Sequence, residues 1–69
     1  MTRDEWIAAF ARRVGVDPPT PQEVDALLEL AAIAAHSSER TAAPLACWLA
    51  GRCGESPLRL KGIADGIGE

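Results

Sequence analysis

The feature that most constrains this chain is a helix-forming stretch in its middle, Thr20–Ser38. Thr20 and Glu23 have the spacing of a capping box, in which each side chain accepts a hydrogen bond from the other residue's backbone N–H. Pro21 falls at the first helical position, where its missing N–H costs nothing. The sequence therefore predicts that a helix begins here, and we expect this helix to form the centre of the fold.

Apolar residues surround most of this central helix. One stripe at helical spacing comprises Val24, Leu27, Leu28, Ala31, Ala34 and Ala35. A second stripe, on another side, comprises Ala26, Leu30 and Ile33. A helix that is apolar over most of its circumference must be covered on more than one side. We expect its neighbours in the chain to be insufficient, so that Leu30 and Ile33 need shelter from another molecule.

Three further helices are predicted around the central one. Their expected ranges are about 3–14, 42–52 and from residue 57 onward. Thr2 with Glu5 forms a second capping box, and Thr41 is expected to cap the third helix with its hydroxyl. Glycines weaken the fourth helix, because each costs about 1 kcal/mol relative to alanine in a helix interior. They are Gly62, Gly66 and Gly68. The chain is thus predicted to be one all-α domain, residues 1–69, a small bundle of three helices and a weaker fourth.

The largest side chains of the outer helices are expected to face the core. In the first helix the predicted buried stripe is Trp6, Ile7, Phe10, Ala11 and Val14. In the third helix the predicted inward residues are Leu45, Trp48, Leu49 and Cys53, extended by Ala46 and Ala50. The alternative for Trp6 is an exposed anchor for a partner, but its spacing with Phe10 favours the core.

The predicted protein interface consists of positions on the second and third helices that lie off the main stripes assigned to the core. It comprises Ala26, Leu30, Ile33, Cys47 and Gly51, which are apolar or small. A 69-residue domain supplies only about 3–5 kcal/mol from its own core, so a partner could complete the burial. We expect a homodimer or a complex with another protein through this surface. A monomer with a rather exposed apolar surface is the alternative.

Charge and hydropathy exclude several classes of protein. The net charge of −3 disfavours nucleic-acid binding, which needs clustered basic residues. No segment is long and apolar enough to cross a bilayer, and residues 1–6 lack the apolar run of a signal peptide. Cys47 and Cys53 lie about 9 Å apart along one predicted helix, too far for a disulfide. Reduced thiols fit a cytoplasmic protein best.

No residue pattern matches a catalytic or metal-binding motif, and no cofactor is expected. His36 is the only histidine, and it lacks an orienting carboxylate and nucleophile at a recognisable spacing.

The best local candidate for ligand binding is the connector after the central helix, with His36, Ser37, Arg40 and Thr41. Free N–H groups at a helix start attract anions, so this connector could seat a phosphate. The alternative is that its hydroxyls only cap helices and that Arg40 pairs with an acid.

Five segments of the chain resemble a small helical family without an established function. They are residues 5–6, 24–31, 35–36, 40–45 and 48–51, which read EW, VDALLELA, AH, RTAAPL and WLAG. Members of that family occur alone or fused to the guanylyltransferase that builds molybdopterin guanine dinucleotide. The resemblance implies a bacterial, cytoplasmic accessory domain linked to molybdenum-cofactor assembly. The glycine-rich tail after Pro57 departs from the alanine-rich helix of the family.

The leading interpretation is a non-enzymatic interaction domain, with a molybdenum-cofactor guanylyltransferase as a candidate partner. The alternative is a small domain that binds an anion or nucleotide at the connector His36–Thr41.

Overall fold

The computed structural model describes residues 1–67 and contains four helices in that range, with no strand among them. They are α1 (Arg3–Val14), α2 (Pro21–Ser37), α3 (Ala42–Cys53) and α4 (Pro57–Asp65). The predicted all-α fold is therefore confirmed, with α2 at the predicted central position. The helix-weakening role predicted for Gly68 lies outside the described residues.

Two of the predicted helix starts are formed by the predicted side chains. The N–H of Glu5 donates to Thr2 Oγ1 over 3.1 Å, and Glu5 accepts from the N–H of Thr2 in return. The N–H of Glu23 donates to Thr20 Oγ1 over 3.2 Å, again with the reciprocal bond. These bonds satisfy N–H groups that have no partner within the helix, and so they determine where α1 and α2 begin.

The predicted cap at the start of α3 is wrong. Thr41 has a helical backbone conformation and its side chain makes no capping bond. The N–H groups of Ala42 and Ala43 instead donate to the carbonyls of Glu39 and Arg40, over 2.9 and 3.2 Å. The preceding turn thus supplies the acceptors that the Thr41 hydroxyl was expected to supply.

The centre of the fold is α2, which packs against α3 on one side and α4 on another. Helix α4 runs alongside α2 in the same direction, because Pro57 lies near Gln22 while Lys61 Nζ reaches Glu29 Oε2 over 2.6 Å. Leu30 is only 5% exposed. Our expectation that Leu30 needs another molecule for shelter is therefore wrong, because one chain covers it.

Helix α3 packs on α2 through its small residues, so the predicted inward positions of Ala46 and Ala50 are correct. The inward positions predicted for the four larger residues are wrong: Leu45, Trp48, Leu49 and Cys53. Ala50 is buried and Ala46 is half-buried, whereas Leu45, Trp48 and Leu49 are each at least 60% exposed. Small side chains let two helix backbones approach closely, and α2 is itself rich in alanine. The largest apolar residues of α3 consequently point away from α2.

Helix α1 is the least closely packed element, since its backbone stands further from the rest than α3 and α4 do. Ala11 is buried and Ile7 half-buried, but Trp6, Phe10 and Val14 are all more than half exposed. The predicted core role of those three residues is therefore wrong. What the spacing did predict correctly is that they share one stripe of the helix.

Candidate interaction surface

Four exposed residues form a continuous line along α3, which we call the α3 stripe: Leu45, Trp48, Leu49 and Arg52. Their spacing of three, four and seven residues puts them on one helix face. The Arg52 guanidinium lies over the Trp48 ring, 4.9 Å from its centroid. Tryptophan and arginine are the residue types that contribute most energy to protein–protein interfaces, so the α3 stripe has the composition of a docking surface.

An apolar groove of about 480 Å³ lies between α1 and α2, and we call it the α1–α2 groove. Its apolar walls are Ile7, Ala8, Val24, Leu27, Leu28 and Ala31, with three prolines and Cys47 also lining it. Charged residues lie along it as well: Arg3, Asp4 and Asp25. Arg3 Nε donates to Asp4 Oδ1 over 2.9 Å, so two of those charges already neutralise each other.

Two aromatic side chains project from α1, the helix that forms one wall of this groove. Trp6 and Phe10 stack with their ring centroids 5.2 Å apart and their planes at 25°. Both rings are 54% exposed. Aromatic rings carry large apolar areas, and leaving two of them together in water is unfavourable. We call these two residues the aromatic pair.

The exposed area of the chain is large for its mass. A compact monomer of 7.3 kDa exposes about 4,200 Å², whereas this chain exposes 5481 Å². The radius of gyration is 12.5 Å, against about 11 Å for a compact domain of this length. Twelve large apolar side chains within residues 1–67 are more than half exposed. Much of that surface is apolar and is available for contact with another molecule.

The interface predicted from the sequence does not exist as one exposed surface. Ala26 and Leu30 are buried within the chain, and Ile33 and Cys47 are half-buried. Only Gly51 is exposed. The exposure assumed for Ala26 and Leu30 is therefore wrong, since α4 and α3 pack against α2 where those side chains lie. The apolar surface that the fold leaves open lies on α1 and α3 instead.

The predicted connector site places His36, Ser37, Arg40 and Thr41 together in sequence, and all four are exposed. Next to them, Ser38 Oγ donates to the carbonyl of Ala34 over 2.9 Å. The first N–H groups of α3 are bonded to the preceding turn, as described above, and Pro44 has none. An anion at this helix start would therefore meet few free donors.

Within residues 1–67, three ionisable groups have a pKa displaced from its ordinary value. The hydrogen bond to Glu29, reinforced by that carboxylate's charge, raises the pKa of Lys61. The bonds from Thr2 lower the pKa of Glu5. Partial burial raises the pKa of the Cys47 thiol, which lowers the fraction present as the reactive thiolate. These shifts follow from the contacts that hold the fold together, and they do not converge on one site.

Within residues 1–67 no three His, Cys, Asp or Glu side chains gather into a group that could hold a metal ion. None of the four helices is both long and apolar enough to cross a membrane. Cys47 and Cys53 are both free thiols.

Comparison with known proteins places the chain in a family. A family described as a domain of unknown function, DUF6457, matches residues 1–57. The chain belongs to the DUF6457 family. The match covers α1, α2 and α3 and ends at Pro57, so the α3 stripe and the α1–α2 groove both lie within the DUF6457 domain. Comparisons with curated proteins and with solved structures found no match.

One signal in the sequence of this DUF6457 domain could have revealed the α3 stripe. Small residues recur on α3 at helical spacing opposite the stripe: Ala43, Ala46, Cys47 and Ala50. A helix that has small residues on one face and large residues on the opposite face can pack either face against its neighbour. The small face allows the closer approach to α2, whose own stripe is rich in alanine. No comparable signal predicted that α1 would stand off from the bundle.

Proposed function

We propose that this DUF6457 chain is a non-enzymatic interaction domain that binds its partner through the α3 stripe. The observation that carries the proposal is the orientation of α3, which buries alanines against α2 and leaves Leu45, Trp48 and Leu49 in water. Burying each of those side chains would stabilise the protein by about 1.5–3 kcal/mol, and that free energy is lost while the side chain is exposed. A partner that covers the stripe would recover it.

The composition of the stripe supports the same function. Trp48 lies in the middle of the line, with Leu45 and Leu49 beside it and Arg52 stacked on its ring. Protein–protein interfaces concentrate their energy in a central aromatic or arginine anchor surrounded by weaker contacts. A ring already held in place by Arg52 loses less conformational freedom when a partner binds.

As the partner we propose the guanylyltransferase that builds molybdopterin guanine dinucleotide. Support for this choice comes from the sequence, because the segments EW, VDALLELA, AH, RTAAPL and WLAG resemble a family whose members occur alone or fused to that enzyme. A domain that exists both fused and separate is expected to bind the same enzyme in either arrangement. The proposed setting is the bacterial cytoplasm, where this enzyme would work.

The test is isothermal titration of the full chain into the guanylyltransferase encoded in the same genome. We expect saturable binding, and we expect Trp48→Ala to weaken it about thirtyfold, the effect of losing an anchor worth about 2 kcal/mol. Trp6→Ala is the matched control, because Trp6 is exposed to a similar degree but lies on α1. Absence of binding by the wild type would contradict the proposed partner. Equal losses in the two variants would contradict the α3 stripe.

A further inference from the structure

We propose that two copies of this chain form a symmetric dimer in which the aromatic pair of each copy fills the α1–α2 groove of the other. This inference builds on the proposed function, an interaction domain, but it uses a different surface from the α3 stripe. The occupant of the groove is thus a second copy of the same chain.

The first argument is that one chain carries both halves of the contact. Trp6 and Phe10 project from α1 as a stacked apolar pair, and the α1–α2 groove is an apolar recess. At about 480 Å³ the groove lies in the size range of pockets that hold drug-sized molecules, and two aromatic side chains are of that size. When a protruding group and its recess lie on the same molecule, insertion in both directions at once closes a two-fold dimer, whereas one-way insertion builds an open chain.

The second argument is the area available. The chain exposes about 1,300 Å² more than a compact monomer of its mass, whereas a standard interface buries about 800 Å² on each partner. Homodimer interfaces are often larger and more apolar than that standard. The surplus, which belongs to the chain as a whole, exceeds the area that one partner of a standard interface buries. Burial of that size would bring the chain to the exposure of a compact monomer.

The third argument is that the groove can accept apolar groups at little electrostatic cost. Burying an unpaired charge is unfavourable, but the Arg3 and Asp4 charges beside the groove are already paired with each other over 2.9 Å. The remaining charged residue of the lining, Asp25, is exposed and can keep its carboxylate in water. Helix α1 also packs less closely than the other helices, so it can shift to fit an incoming ring. The net charge of −3 is small enough for two copies to approach each other.

The first test is sedimentation equilibrium of the full chain from about 1 μM to about 1 mM, the range of moderate affinities. We expect the wild type to reach twice its mass of 7.3 kDa. Trp6→Ala should raise the dimer dissociation constant about thirtyfold, whereas Trp48→Ala should change it less than about twofold. A wild type that stays monomeric overturns the dimer, and so does a loss in Trp48→Ala as large as that in Trp6→Ala.

A second test uses the wild type alone and so does not depend on the folding of a variant. Cys47 lines the α1–α2 groove, whereas Cys53 is exposed outside it. If the second copy fills the groove, alkylation of Cys47 by iodoacetamide should slow as the protein concentration rises, while alkylation of Cys53 should not. A constant ratio of the two rates overturns the proposal. Neither result bears on guanylyltransferase binding, which is measured separately through Trp48.

Discussion

The hydroxyl of Thr20 holds the start of the central helix. It accepts the N–H of Glu23, and its own N–H donates to Glu23 Oε1 over 2.8 Å. Removing a capping hydroxyl leaves a helix-terminal N–H without its partner and costs about 1 kcal/mol. We therefore predict that Thr20→Ala lowers the free energy of unfolding by about 1 kcal/mol, measured by urea denaturation followed by circular dichroism.

Thr41→Ala is the matched control for that measurement. Thr41 occupies the equivalent position before α3, but its hydroxyl makes no capping bond and its backbone is helical. The same substitution should therefore change the free energy of unfolding by less than about 0.5 kcal/mol, as for an ordinary surface position. Losses of equal size in Thr20→Ala and Thr41→Ala would contradict the assignment of both caps.

The caps also show what the sequence can predict at the scale of single residues. Thr2 and Thr20 were identified correctly because each is followed three residues later by glutamate, so that the signal is local and reciprocal. Thr41 has no such glutamate. The tight turn through Glu39 and Arg40 already supplies acceptors there, from the carbonyls of those two residues. The residues next to Thr41 in the sequence do not indicate that backbone carbonyls replace its hydroxyl as the acceptors.

At the scale of helices, Leu30 is the residue that joins α2 to its neighbours. It is 5% exposed and, within residues 1–67, is the only buried side chain larger than alanine. Leu30→Ala should cost about 2–5 kcal/mol, because it removes buried methyl groups and leaves a void. A core of this size supplies only about 3–5 kcal/mol, so we predict that the variant is largely unfolded in urea-free buffer at 25 °C, as seen by circular dichroism.

Leu28→Ala is the control on the same helix. Leu28 lies two residues earlier, beside the α1–α2 groove, and is 52% exposed. The identical substitution there removes less buried area, so the protein should remain folded with a loss of about 1 kcal/mol. If Leu28→Ala proved as damaging as Leu30→Ala, the burial that distinguishes the two positions would be misassigned.

Which face of each helix is buried was harder to predict from the sequence than where the helices lie. Periodicity identified the second stripe of α2, with Ala26, Leu30 and Ile33, but could not say which element covers it. Helix α4 does so, and its glycine-rich sequence gave a weak signal for any helix at all. For α3 the periodic signal fits either face. The choice between them is made by close packing against the alanines of α2, a relation between distant segments.

At the scale of the whole molecule, the chain is a bundle of α2, α3 and α4 with α1 attached less closely. The extents of 38 × 23 × 18 Å describe an elongated particle. Gly15 ends α1 in the left-handed conformation, and Pro18 and Pro19 then keep the connector to α2 extended. Such a connector positions α1 beside α2 without packing it closely against the other helices. The candidate surfaces follow from this architecture, which the sequence pattern of any one helix does not contain.

This uneven packing leads to a prediction about hydrogen exchange. Amides in closely packed helices open only with the whole domain, whereas loosely attached elements open locally at a lower free energy. In dilute solution the amides of α1 should therefore exchange faster than those in the middle of α2, measured residue by residue by NMR.

The dependence of that exchange on concentration separates the dimer from a merely loose α1. If a second copy covers α1 and its groove, raising the protein concentration should slow exchange in α1, because opening α1 would then require dissociation first. Exchange in α4, which lies away from the proposed interface, provides the internal control and should change little. In the Trp6→Ala variant the slowing in α1 should disappear while the rates in α2 are retained. Exchange in α1 that is as slow as in α2 at every concentration would contradict the loose packing of α1 on which the proposed dimer partly rests.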